Sequence, residues 1–278
     1  MILYFLLKIG IFLSYIIPRK LSLFLAEIIG YLCFLICRKK RKIITENVIT
    51  VLNKKNIDIK IVKNIFINYS KYYVDFLYLE WFKKRKNKIS NIVNVNYLKD
   101  AIQKNKGVIL VTAHLGNWDV GALNFIQSGF SMNVVVERLY PKKLYEFYRK
   151  NRQKLGVKVI SSGFVNVIQE KLRNNEIVAI VVDRNVEGKG VEVEFFNKKT
   201  KMPVGPIVLA LRTGAVIIPG FTIRKNDNTY LTFLLESIEI EKKKNLEQTI
   251  KYNLEKMNKV IEEQIKKYIS QWYNLQPF

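Results

Sequence analysis

The chain has 278 residues, 49% of them hydrophobic, enough to bury a sizeable core in one domain plus an appendage, which excludes an intrinsically disordered chain. With 47 Lys and Arg against 23 Asp and Glu, the formal net charge is +24. Part of that excess follows from a Lys-, Ile- and Asn-rich composition, and the rest calls for an anionic partner: nucleic acid, an acidic protein or membrane headgroups. A single histidine and two cysteines four apart in an apolar run exclude a His-rich metal site and a disulfide framework.

Residues 1–37 are apolar almost throughout, interrupted by Lys8, by Pro18-Arg19-Lys20 and by Glu27. Each half falls slightly short of the roughly 20 residues that span a bilayer. The segment is therefore expected to attach to a membrane as one tilted spanning helix, a shallow hairpin or a pair of interfacial helices. An internal helix pair of a soluble protein remains the alternative, because Lys8 and Glu27 are awkward in lipid. No basic n-region or small-residue cleavage site marks a secretory signal. Arg38-Lys39-Lys40-Arg41-Lys42 follows directly and suits the cytoplasmic side of an anionic membrane. The expected division is an anchoring segment at 1–37 and an α/β domain at 38–278. Further basic clusters at 83–88 and 197–201 extend a membrane-facing surface or are solvated loops.

From about residue 39 to 82 the apolar spacing of three and four predicts helices, the second rich in aromatics. After residue 95 the pattern alternates. Helices are predicted at 97–105, 117–128, 141–155 and 164–174, and strands at 107–113, 132–137, 157–160 and 176–183. Beyond Asp183 come a loop, a strand at 191–196, a loop holding Met202-Pro203-Val204-Gly205-Pro206, a short helix at 207–214, two strands at 215–224 and 229–240 around an Asn-Asp-Asn turn, and a long helix at about 245–268. Continuous apolar strands between amphipathic helices predict a mixed, mostly parallel sheet flanked by helices on both faces, with an N-terminal apolar helical membrane anchor.

Ligands of open α/β sheets bind beyond the carboxyl ends of the strands. His114, the lone histidine, ends the strand at 107–113, and Asp119 falls in the first turn of the next helix. On one helix, positions five apart point about 140° away from each other. A turn at Gly116, with Asn117 as N-cap and candidate substrate contact, can fold the Asp119 carboxylate back onto the imidazole. Asp119 then fixes the tautomer while the other ring nitrogen takes a proton from a hydroxyl. The bland reading is a histidine closing a strand end beside a helix-start aspartate. The chain has no Gly-x-Ser-x-Gly elbow and no cysteine outside the apolar segment, so a covalent acyl-enzyme is poorly supported. Asp183 and Arg184 also end a strand and face the same crevice as candidate substrate contacts; Arg184 suits a phosphate or a phosphopantetheine, and an ion pair between the two is the alternative. Trp272 and Tyr273 pack the final turn or sit at a membrane interface.

The stretch His114-Leu115-Gly116-Asn117-Trp118-Asp119 resembles the His-x4-Asp/Glu motif of the bacterial lipid A late acyltransferase family, within the larger group of glycerolipid and lysophospholipid acyltransferases. The blocks at 182–196, 202–219 and 271–278 resemble that family in the same order, as does the basic segment after the anchor. The resemblance implies an O-acyltransferase that moves a fatty acyl chain from acyl carrier protein or acyl-CoA to a hydroxyl of a phosphorylated glycolipid at the cytoplasmic face of the inner membrane, with His114 as general base, Asp119 its partner and no cofactor or metal. Mycobacterial phosphatidylinositol mannoside acyltransferases, similar at 116–119 and 183–184, pair the histidine with a later glutamate; Glu192, preferred slightly over Glu194, corresponds. Exposed positions on an edge strand are the other reading of both. A different acceptor, such as a phosphatidylinositol mannoside or a lysophospholipid, fits the same residues. A membrane-attached nucleic-acid binder fits the charge, but the basic clusters are scattered and no nucleic-acid motif is present.

Overall fold

The computed structural model describes residues 2–84, 91–137, 140–185, 188 and 190–277. Five helices open the chain: α1 (Ile2–Ser14), α2 (Arg19–Ile36), α3 (Arg38–Leu52), α4 (Ile59–Leu77) and α5 (Leu79–Lys84). Pro18 separates the first two, so the apolar segment is a pair of helices and not one tilted span. Among the described residues no single helix is long and apolar enough to cross a membrane; α2 and α3 pass that test only together, across a 93° bend.

Packing on α4 organises this region. Leu23, Ala26 and Gly30 of α2 are buried, and a Cβ at Gly30 would stand 2.6 Å from the Cα of Ile67, so the two helices meet backbone to backbone. Glu27, half exposed, lies 2.5 Å from Lys71 Nζ, and Arg19 Nε lies 2.7 Å from the fully buried Asp75. Asp75 also receives Arg224 at 2.5 Å. Of the two charges that made residues 1–37 awkward in lipid, Glu27 is thus matched by Lys71, while Lys8 lies over the Tyr4 ring, 5.1 Å from its centroid. Of the basic cluster at 83–88, Lys83 and Lys84 end α5 and the remainder lies outside the described residues.

The body then alternates: β1 (Ile92–Val93), α6 (Asn96–Gln103), β2 (Val108–Thr112), α7 (Trp118–Gln127), β3 (Met132–Val136), α8 (Lys142–Lys154), β4 (Lys158–Ser161), α9 (Val165–Arg173), β5 (Ile177–Val181), β6 (Val191–Phe195), β7 (Lys198–Met202), α10 (Gly205–Thr213), β8 (Val216–Arg224), β9 (Tyr230–Leu234), α11 (Leu246–Lys267) and a 3-10 turn at Ile269–Gln271. Seven strands form one sheet in the order β1-β9-β8-β2-β5-β3-β4, parallel at every pair except β8 with β9. The mixed, mostly parallel α/β architecture follows the periodicity. All five residues of β2 are buried, as a central strand covered on both faces requires.

Two elements were not legible. β1 is two residues long and exists only through its pairing with β9. The basic stretch expected as a loop at 197–201 supplies β7, which pairs with β6 in a ribbon outside the main sheet. Phe196 and Asn197 both hold positive φ, the geometry of a two-residue hairpin turn. Val193 and Phe195 are buried, while Glu192 and Glu194 point outward opposite Lys201 and Lys199.

Candidate active site

β2 ends at Thr112, yet its alignment with β5 continues. Thr112 pairs with Val181, and Val182 N–H donates to the Thr112 carbonyl at 2.9 Å. Two residues further along, the same register sets His114 beside Asp183. His114 Nδ1 lies 2.7 Å from Asp183 Oδ1, and Trp272 Nε1 donates to Asp183 Oδ2 at 2.8 Å. The Asp183 side chain is fully buried, and the imidazole is 17% exposed. Burial by itself would raise the Asp183 carboxyl; the His114 charge and the hydrogen bonds from His114 and Trp272 outweigh it and hold the group below the usual carboxylate range.

The aspartate expected at the histidine is elsewhere. Both oxygens of Asp119 are taken by Arg152 of α8, Nε at 2.6 Å and Nη2 at 3.2 Å, and Tyr72 of α4 donates to Oδ2 at 2.7 Å. The physical reason is the path of the turn. Gly116 adopts φ +66, and a Cβ there would sit 2.0 Å from the Thr222 carbonyl oxygen. Asn117 N–H donates to that same carbonyl at 2.8 Å, which starts α7 alongside β8 and carries Asp119 inward toward α4 and α8. Burial works against the Arg152 charge and in favour of a neutral Tyr72, while Asp119 pushes both upward. Asp119 is a clamp among three helices.

Asn117 is likewise structural: its Oδ1 accepts from Val120 N–H at 3.0 Å and its Nδ2 donates to Tyr230, which makes it the N-cap of α7 and places it 1% exposed, outside the cavity lining. Glu192 and Glu194, on the outer face of the β6–β7 ribbon, do not line the cavity that holds His114. Asp183 and Arg184 do not pair with each other: Arg184 points to Glu137, Nη2 to Oε2 at 3.6 Å. Its Nε is buried with no hydrogen-bond partner among the described residues.

A cavity of about 870 Å³ opens at the carboxyl ends of β2, β3 and β5, with His114 and Arg184 in its wall. Its lining is mainly apolar and draws on both helical layers, Ala122 and Leu144 on one side of the sheet and Ile168 and Leu209 on the other. Lys40 and Arg212 join Arg184 as cationic lining groups. Among the described residues no three His, Cys, Asp or Glu side chains converge as a metal site. Sequence spacing carries no signal that Tyr72, Arg152 and Trp272 partner the carboxylates around the motif; only the packing brings them there.

The profile of the bacterial lipid A biosynthesis acyltransferases matches residues 1–277. The chain is 34% identical over 160 residues to the phosphatidylinositol mannoside acyltransferase of Mycobacterium tuberculosis, covering 55% of this chain and 51% of that protein. It is 32% identical over 134 residues to the protein of the same name from Mycolicibacterium smegmatis, covering 46% and 44%. The chain thus spans about half the length of the curated relatives it matches.

Proposed function

The chain belongs to the bacterial lipid A biosynthesis acyltransferase family, and we propose that it transfers a fatty acyl group from a thioester donor to a hydroxyl of a glycolipid, with His114 as general base. The observation that carries this reading is the imidazole of His114 in the wall of a large, mainly apolar cavity, backed by the buried carboxylate of Asp183. Asp183 accepts from Nδ1–H, which leaves Nε2 free for the acceptor hydroxyl. As Nε2 takes that proton, the hydroxyl oxygen attacks the thioester carbonyl carbon. The tetrahedral intermediate collapses with cleavage of the C–S bond, and the imidazolium returns the proton to the departing thiolate. An Asp183 that stays ionised stabilises the imidazolium between the two steps.

The apolar lining suits the acyl chain, and Lys40, Arg184 and Arg212 suit the phosphates of the donor or acceptor. The donor is acyl carrier protein, which a strongly basic surface attracts, or acyl-CoA. The acceptor is a phosphorylated lipid A precursor; the mycobacterial relatives favour a phosphatidylinositol mannoside as the second reading. The site works at the cytoplasmic face of the inner membrane. Supporting attachment there, α1 and α2 leave Phe5, Ile9, Phe12, Phe24 and Ile28 exposed, beside the basic start of α3.

The test offers radiolabelled acyl carrier protein or acyl-CoA to membranes containing the chain or its His114→Ala variant, with a tetraacylated lipid A precursor, a phosphatidylinositol mannoside and a lysophospholipid as acceptors. His114-dependent transfer to one acceptor identifies donor and pathway together. Transfer unaffected by His114→Ala removes the mechanism.

A further inference from the structure

The segment after α11 reaches back across the molecule to the catalytic turn. Gly116 N–H donates to the Gln271 carbonyl at 2.9 Å, Tyr273 N–H donates to the His114 carbonyl at 2.8 Å, and Leu115 and Trp272 form an antiparallel bridge. Residues 114–116 lie beyond the last formal pair of β2, so this bridge gives the turn a backbone partner where the paired strand has ended. The strap is itself held without the indole. The Gln271 side chain exchanges two hydrogen bonds of 2.9 Å with the backbone of Arg224, Asn68 Nδ2 donates to the Ser270 carbonyl, and Asn47 Nδ2 donates to the carbonyls of Asn274 and Gln276. From this anchored strand Trp272, 2% exposed, sends Nε1–H to Asp183 Oδ2, while His114 Nδ1 meets Oδ1.

We infer that Trp272 is a positioning residue for the acyl-transfer reaction: its indole N–H fixes the rotation of the Asp183 carboxylate, and through it the tautomer and orientation of His114. This rests on the reading of His114 as general base. A buried carboxylate with one donor can rotate about its terminal bond, and only some orientations accept from Nδ1–H. With donors on both oxygens the carboxylate is held in one plane, and the imidazole keeps its proton on Nδ1. The strap is therefore the third member of a His–Asp–Trp chain, contributed by the far end of the sequence.

His114 is the only histidine in the chain, so one imidazole spectrum reports on it without assignment. Full-length protein labelled with 15N-histidine is expected to show an Nδ1–H tautomer with Nε2 unprotonated. Trp272→Phe keeps a ring in the packing against Phe196 and deletes the donor. It is expected to give a mixed-tautomer spectrum and a kcat lower by roughly tenfold to a hundredfold, with KM unchanged. A folded Trp272→Phe protein with the native tautomer and kcat within about twofold of wild type overturns the inference and leaves the base in place. An Nε2–H tautomer in the wild type overturns both. Should Trp272→Phe fail to fold, the wild type alone decides: the Trp272 indole N–H resonance must shift as His114 titrates, and an indole that does not respond refutes the coupling.

Discussion

His114 Nδ1 stands 2.7 Å from Asp183 Oδ1 although 69 positions separate the two residues, because β2 and β5 run on in register past their last formal pair. Asp183→Asn replaces an acceptor by an amide that also donates, which favours the wrong imidazole tautomer. The expected loss in kcat is roughly three orders of magnitude or more, with the fold retained. His114→Ala should lose as much, and the double variant little more, since the two act as one unit. Single-turnover acyl transfer measures all three, and an Asp183→Asn enzyme near wild-type speed would remove the dyad.

Asp119 should behave differently. Asp119→Asn leaves Arg152 buried without its counter-charge, at an expected cost of about 3–5 kcal/mol in unfolding free energy. Tyr72→Phe, which deletes a neutral donor to the same carboxylate, should cost about 1 kcal/mol. Denaturant unfolding compares them. A stable but inactive Asp119→Asn protein would return this residue to the chemistry.

Gly116→Ala combines a left-handed φ with a Cβ 2.0 Å from a carbonyl oxygen. The backbone strain alone is about 1–3 kcal/mol, and the clash must move β8 or the turn at 114–117. Melting temperature and transfer rate should fall together.

Glu176 ties three elements at the amino end of β5, accepting from Lys158, Asn133 and Lys171. Burial opposes its charge, but these partners lower its pKa to about 2. A depressed pKa means that its contribution to stability is complete above the ordinary carboxylate range and disappears as the pH falls from there toward about 2. Acid unfolding of Glu176→Gln should therefore show a flatter pH dependence over that interval, while an unchanged slope would mean the tie contributes nothing.

Membrane attachment is testable on the exposed faces of α1 and α2. Phe12→Ser with Ile28→Ser removes two apolar side chains from that surface without changing its charge or touching the α4 contact. Co-sedimentation with anionic phospholipid vesicles should drop for the double variant. Equal binding would locate the attachment elsewhere.

The helix-and-strand alternation from β2 to α11 was legible because it rests on local periodicity, and so was the antiparallel β8–β9 hairpin around Asn228. β1 and β7 escaped because neither carries an apolar pattern of its own; each is defined by the strand beside it. At the site, sequence spacing points to Asp119 for the histidine and keeps Asp183 among the substrate contacts. The structure sets Asp183 beside the imidazole, and the Gly116 turn swings Asp119 inward onto Arg152.

What the sequence by itself determined are the features set by neighbouring residues: a central strand apolar from Val108 to Val111, a lone histidine at its carboxyl end, a glycine where the turn requires positive φ, and an asparagine that caps the following helix. What only the tertiary structure decided is who partners that histidine and the two aspartates around it. Asp183 arrives through the lateral order of the strands, Trp272 through the return of the carboxyl-terminal strap, and Arg152 through the packing of α8 on α7. These are pairings across 69, 89 and 33 positions. Strand order, register and helix packing select such partners, and no local spacing records them.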